Sequence, residues 1–136
     1  MFHLTKEGIP YGTIILGSRA TWLDRHAAEE LRSYVKKLSG AILIITHERY
    51  ASSIEGGKIL IGRASTSDIV GAFAAHYPDV LPEESDTEND CVAYAVRGNT
   101  LVISGSNDRS VYYSVCHLLQ TEFGVGFYWD RDVFEK

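Results

Sequence analysis

The chain is poor in the residues that would make it a scaffold of cross-links. It has two cysteines, one methionine and three prolines in 136 residues. Cys91 and Cys116 stand in no metal-ligand spacing, and two thiols make no disulfide framework and fix no redox compartment. They are expected to be small buried apolar residues. No run of about 18 apolar residues occurs, so no spanning helix is predicted. There is no excess of basic charge. Thirteen Lys and Arg face eighteen Asp and Glu, for a net charge of −5, which excludes a global field for nucleic acid or an anionic membrane. The opening residues MFHLTKEG lack the charged-then-apolar layout of a signal peptide. Internal repeats and low-complexity tracts are absent as well.

Recognisable catalytic motifs are also missing. His47-Glu48-Arg49-Tyr50-Ala51 begins like the zinc motif H-E-x-x-H, but Ala51 stands where the second imidazole must meet the metal. Asp86 to Asp90 alternates acids as a calcium loop does. Cys91 replaces the glycine, however, and Arg97 replaces the closing carboxylate, so a solvated loop is expected. Gly62-Arg63-Ala64-Ser65-Thr66-Ser67 joins a strand to a helix and could hold an anion on free N–H groups. It lacks the glycine-lysine pair of a nucleotide loop, and capping by Ser65 or Ser67 is the simpler reading. G-x-S-x-G does not occur, and His3, His26, His47, His76 and His117 share no ligand spacing. No catalytic residue, metal site or cofactor is assigned.

What is present is a globular composition, 45% hydrophobic and 23% charged, enough for one domain over 1–136 with a single core. Residues 2–4 read as a short edge strand, 6–10 as a turn and 13–16 as a strand. Leu23, Ala27, Leu31, Tyr34, Val35 and Leu38 recur at three- and four-residue intervals. With Thr21 as cap and Gly40 as stop they predict a helix over 22–38. The apolar runs 41–46 and 58–62 predict strands buried on both faces. A helix follows from Ser65–Ser67 to Tyr77, ended by Pro78. Residues 79–90, with six acids, read as a solvated, mobile loop. Alternation over 90–96, a Gly98-Asn99 turn and Leu101–Ile103 predict a hairpin. A last helix runs to Phe123, and Phe127–Trp129 is a final strand or extended segment. Strand pairs alternating with helices make an α/β or α+β fold, a mixed sheet packed with about three helices.

Function in such domains sits in loops at strand ends. The best candidate contact surface is therefore Ser106, Asn107, Asp108 and Arg109, joined by the C-terminal aromatics Tyr128 and Trp129. The plainer alternatives are capping by Asn107 or Asp108, an Asp108–Arg109 surface pair, and aromatics serving a core or interface rather than a sugar platform.

Several segments together resemble a known domain. Thr13-Ile14-Ile15-Leu16 followed by Ala27-Ala28-Glu29-Glu30-Leu31-Arg32-Ser33-Tyr34-Val35-Lys36-Lys37-Leu38-Ser39-Gly40-Ala41 is similar to a strand and an "AAxELxxYLxxxTGxxL" helix. Ile59-Leu60-Ile61-Gly62 resembles the next strand, and Gly98 to Gly105 a "GnxLxIxG" hairpin return. Val111 to Val115, Leu118-Leu119, Phe123-Gly124-Val125 and Tyr128-Trp129 resemble a "lYavydfLexxlGvrwy" close. This is the pattern of the non-catalytic N-terminal domain of bacterial glycoside hydrolases of the β-N-acetylhexosaminidase and α-glucuronidase type. It covers about residues 10–130. Ser110 and Tyr113 depart from it, standing where the family commonly has glycines.

The resemblance implies a zincin-like α/β sandwich that does no chemistry itself. It implies an N-terminal accessory domain excised from a longer enzyme, with a (β/α)8 catalytic barrel of the same polypeptide as its partner. The barrel needs about 250 residues and cannot fit in this chain. An independent carbohydrate-binding module is the alternative, with carbohydrate as partner in place of nucleic acid or membrane. A periplasmic or extracellular location would follow from related bacterial enzymes alone.

Overall fold

The computed structural model describes residues 12–85 and 90–121, together with the backbone of residues 2–3, 5–6, 9–10, 128–129 and 133–135. In chain order the elements are β1 (Phe2–His3), β2 (Thr5–Lys6), β3 (Ile9–Pro10), β4 (Gly12–Leu16), α1 (Trp22–Ser39), β5 (Ile44–His47), a 3-10 helix (Glu48–Ser53), β6 (Gly57–Ile61), α2 (Asp68–His76), β7 (Val92–Arg97), β8 (Thr100–Gly105), α3 (Asp108–Thr121), β9 (Tyr128–Trp129) and β10 (Val133–Glu135). The mixed α/β fold expected from the sequence is the one observed, with three α-helices among the described residues on a central sheet.

That sheet has six strands in the order β10-β7-β8-β6-β4-β5. β5, β4, β6 and β8 run parallel, while β7 pairs antiparallel with β8 and β10 with β7. The side-chain period of two divides the strands between two layers. Ile14, Ile59, Ile61, Tyr94, Leu101 and Ile103 pack with Ala27, Leu31 and Val35 of α1 and Val111, Val115 and Leu118 of α3. Ile15, Leu60, Ala95 and Val102 pack with Val70 and Phe73 of α2. The sheet is thus covered on both faces. Each fully buried Leu, Ile or Val side chain in these clusters stabilises the fold by roughly 1.5–3 kcal/mol relative to exposure.

The helix ends follow the sequence closely. Thr21 caps α1 in a reciprocal box: its Oγ1 accepts from the Asp24 N–H at 3.1 Å, and Asp24 Oδ2 accepts from the Thr21 N–H at 3.2 Å. Gly40, at φ 77°, ends the helix in the left-handed conformation, its N–H bonded to the Lys36 carbonyl. Ser67 caps α2, its Oγ accepting from the Val70 N–H.

Three expectations are corrected. The apolar run 41–46 is not a strand buried on both faces. Its strand is Ile44–His47, at the end of the sheet and paired only with β4, so Ile44 is 65% exposed. Ala41 and Leu43 enter the core ahead of the strand. Ile59, Leu60 and Ile61 of β6, with strands on either side, are buried as predicted. Second, residues 6–10 are more than a turn, because Thr5–Lys6 pairs antiparallel with Ile9–Pro10. Third, Tyr128–Trp129, which pairs antiparallel with Phe2–His3, is not the last strand, because Val133–Glu135 follows it and pairs with β7. The α2 helix opens on a capping serine as expected: of Ser65 and Ser67 it is Ser67, and residues 63–66 form the turn that delivers it. The expectations at Phe123, Phe127 and residues 86–89 lie outside the described residues.

Candidate functional site

The carboxyl ends of β4, β6 and β8 lie side by side, and each strand runs into the N-terminus of a helix. α1 and α3 pack on one face of the sheet and α2 on the other. Adjacent strands therefore send their chains to opposite faces, first between β4 and β6 and again between β6 and β8. Open α/β sheets hold ligands in crevices of this kind.

Here the chain packs into both crevices, while open grooves of about 470 and 520 Å³ remain beside them, next to Gly17–Ser18 and His47. Between β4 and β6, the α2 turn packs directly on Gly17. A Cβ there would stand 2.1 Å from the Thr66 carbonyl oxygen and 2.5 Å from the Ser67 Cα. The Arg19 N–H donates to the same Thr66 carbonyl at 3.1 Å. Between β6 and β8 lies Arg63, whose side chain is only 11% exposed. Its Nη1 donates to Glu84 Oε1 at 3.0 Å, and its Nη2 pairs with Asp108 Oδ1. Glu84 also accepts from the Ser65 hydroxyl and, at 3.2 Å, from the Ser65 N–H. The anion nest read from residues 62–67 thus holds a carboxylate of the same chain. Glu48 behaves likewise, accepting from the N–H groups of Ser18 and Ile69. Burial pushes its carboxyl up, but these backbone hydrogen bonds outweigh burial and hold it below the usual range.

The four loop residues singled out from the sequence are brought together, but they differ in kind. Ser106 and Asn107 are buried. Ser106 Oγ accepts from the Cys91 N–H at 2.9 Å, and Asn107 caps α3 by accepting from the Ser110 N–H at 2.9 Å. Asn107 Nδ2 donates to Asp90 Oδ1 at 2.6 Å, which holds the Asp90 carboxyl below its ordinary range. Asp108 and Arg109 are partly exposed and do not pair with each other. Asp108 goes to Arg63 and Arg109 to Asp90, at 3.2 Å. Tyr128 and Trp129 belong to the separate β1–β9 ribbon.

The acidic segment read as a mobile loop is fastened at both described ends. Glu84 binds Arg63 and Ser65, the Ser85 N–H donates to the Ser106 carbonyl at 2.8 Å, and Asp90 holds Asn107 and Arg109. Sequence reasoning missed Arg63 and Glu84, because their partnership spans 21 positions and leaves no local pattern. It also missed Asp24 as anything beyond a first-turn acid. Among the described residues no group of three His, Cys, Asp or Glu could hold a metal ion, and no helix is long and apolar enough to cross a membrane.

Asp24 is wholly buried beneath this edge, with Oδ1 unpaired among the described residues. Burial raises its pKa. Hydrogen bonds from Thr21 and Thr66 and the nearby Arg63 charge oppose the rise, while Asp108 adds to it. A raised folded-state pKa means that protonation favours the native state. This contribution is full below the unfolded carboxylate value of about 3.9 and is lost as pH rises through the folded value. Asp24→Asn keeps an acceptor for Thr21 and removes the buried charge. Urea unfolding should show the variant more stable than the parent at pH 7, with the advantage shrinking towards pH 4. Parallel pH profiles for the two proteins would contradict this account.

No family model matches the sequence, and no curated protein matches it. Solved structures do share the fold. BtGH115A, described as a family GH115 4-O-methyl-α-glucuronidase with specificity for decorated arabinogalactans, superposes with a TM-score of 0.59 at 17% identity. The match covers 85% of this chain and 14% of that one. CpGH84D superposes with a TM-score of 0.57 at 16% identity, over 98% of this chain and 20% of that one. This chain therefore spans a small part of the length of the glycoside hydrolases whose fold it shares, and the fold is that of a mixed-sheet α+β domain within them.

Proposed function

We propose that this chain is a non-catalytic accessory domain of a carbohydrate-active glycoside hydrolase, of the type that precedes the barrel in β-N-acetylhexosaminidases and α-glucuronidases. The observation that carries the reading is the coverage. The matches take in 85% and 98% of this chain but only 14% and 20% of the two glycoside hydrolases described above. The strand-end geometry supports it, since Arg63, Glu84, Asp108 and the packed α2 turn occupy the crevices beside β6, where an α/β domain would act. The role left to such a domain is to fold and to pack against a following (β/α)8 barrel, shaping one rim of its cleft. Asp108 and Arg109, the exposed members of the α3 loop, and the Tyr128–Trp129 strand are the proposed contact surface.

The test is to read the source reading frame beyond codon 136. Several hundred further codons encoding alternating strand and helix units are the expected result. A stop codon directly after Lys136 would remove the barrel-packing role. A second reading, an independent sugar-binding module, is favoured by one observation: Trp22, Tyr34 and Tyr113 on α1 and α3 are 66%, 42% and 47% exposed.

A further inference from the structure

The outer surface of the α1–α3 layer carries a short groove of about 210 Å³. It is lined by Glu30 and Tyr34 of α1 and by Tyr112, Cys116, Leu119 and Gln120 of α3. We propose that this groove binds one neutral pyranose unit of a carbohydrate chain, with Tyr34 and Tyr112 as its ring walls and Glu30 and Gln120 as its hydrogen-bonding rim.

Four observations carry the assignment. The first is size: the groove has the volume of about seven waters of liquid, close to the bulk of a single hexose and too small for a helix. The second is chemistry. A pyranose has an apolar C–H face and a perimeter of hydroxyls. The groove offers the complement, aromatic and leucine surface with a carboxylate and an amide at its edge. The third is charge. No lysine or arginine lines the groove, whereas Glu30 does, its Oε1 3.7 Å from His26 Nε2, so an acidic sugar would meet a carboxylate with no fixed cation among the lining residues. The fourth is continuity. His26 stacks on Tyr112 at 5.1 Å and 14°, and Trp22 lies 6.1 Å beyond His26 with most of its surface in solvent. A second aromatic platform thus lies along α1 for the next sugar of a chain. Burial pushes the Cys116 thiol up, so it enters the groove as an apolar wall and not as a thiolate.

The choice of a sugar over other amphipathic rings rests on the carbohydrate-active reading above. The test does not depend on a barrel, so the two can fail separately. The 136-residue chain is titrated calorimetrically with xylohexaose, chitohexaose, β-1,4-galactohexaose and a galacturonate hexamer. At least one neutral hexamer should give saturable heat, and the galacturonate hexamer none. Tyr34→Ala, at a partly exposed helix position, should weaken that binding by about tenfold or more with the circular dichroism and melting temperature of the parent retained. Tyr112 is packed on the core, so its replacement is the less informative variant. Three results would overturn the proposal: no heat from any neutral hexamer, binding unaffected by Tyr34→Ala, or a preference for the acidic hexamer. Self-association that buries Trp22, with no response to sugar, would overturn it too.

Discussion

Gly17→Ala should be the most damaging single methyl group that can be added to this protein. The new Cβ would sit 2.1 Å from the Thr66 carbonyl oxygen and 2.5 Å from the Ser67 Cα, and both obstacles are main chain. No side-chain rotation relieves them. Relief requires moving the α2 turn, which breaks the Arg19 N–H to Thr66 bond and misplaces the Ser67 cap. Overpacking of this kind costs about 3 kcal/mol or more. For a domain of this size that is a drop in melting temperature of roughly 10 °C. Gly71→Ala provides the control. Gly71 lies within α2, and its Cβ would meet Ala64 at 3.8 Å, an ordinary contact. With no clash and a better helix former, this variant should gain about 0.5–1 kcal/mol. Thermal melts of the two variants should therefore move in opposite directions. A Gly17→Ala protein that melts with the parent would mean that the crevice between β4 and β6 is open in solution.

Arg63→Met should be the most damaging loss of charge. Arg63 is the cation between Glu84 and Asp108, and its removal leaves two carboxylates facing each other above the buried Asp24. Breaking a fully buried pair costs about 3–5 kcal/mol. The Glu84 and Asp108 side chains are 31% and 38% exposed, so solvent screening brings the expected loss to about 2 kcal/mol. Two readouts separate this cause from simple loss of packing. The double variant Arg63→Met, Glu84→Gln should be less damaged than the sum of the singles, with a coupling of about 1 kcal/mol. Limited proteolysis should also cut the 79–85 segment faster in Arg63→Met, because its fastening through Glu84 is gone. Additive effects and unchanged proteolysis would show that the ion pairs hold nothing in place.

The residues differ in how far the sequence alone revealed them. The α1 helix could be read to within a residue because its information is local. Thr21, Asp24, the apolar stripe and Gly40 all lie within one short stretch, and each acts on a neighbour three or four positions away. The hairpin of β7 and β8 was legible for the same reason, through alternation and a Gly98 turn. The residues at 41–46 were misread because a continuous apolar run specifies burial without saying which strands flank it. Only the sheet order made β5 an edge. The small strand Val133–Glu135 had no sequence signal, since its pairing with β7 is set by a partner far back in the chain.

The candidate site divides in the same way. Capping at the starts of α2 and α3 was legible in the sequence, because a cap bonds to an N–H three residues on, while the fold chose Ser67 over Ser65 and Asn107 over Asp108. The pairing of Asp108 with Arg63 instead of Arg109 is not. Adjacent side chains on a helix do not face each other, so Asp108 turned to the nearest cation that the sheet placed beside it. Sequence by itself thus determined the α1 helix with its ends, the β4 and β6 strands, the β7–β8 hairpin and the two-faced apolar pattern that requires helices on both sides of a sheet. Tertiary structure alone decided which strand became the edge, which carboxylates closed the strand-end crevices and which aromatics were left facing solvent. The physical reason is range. Capping and periodicity act over a turn of chain, whereas charge pairing and close backbone approach join groups that only folding brings together.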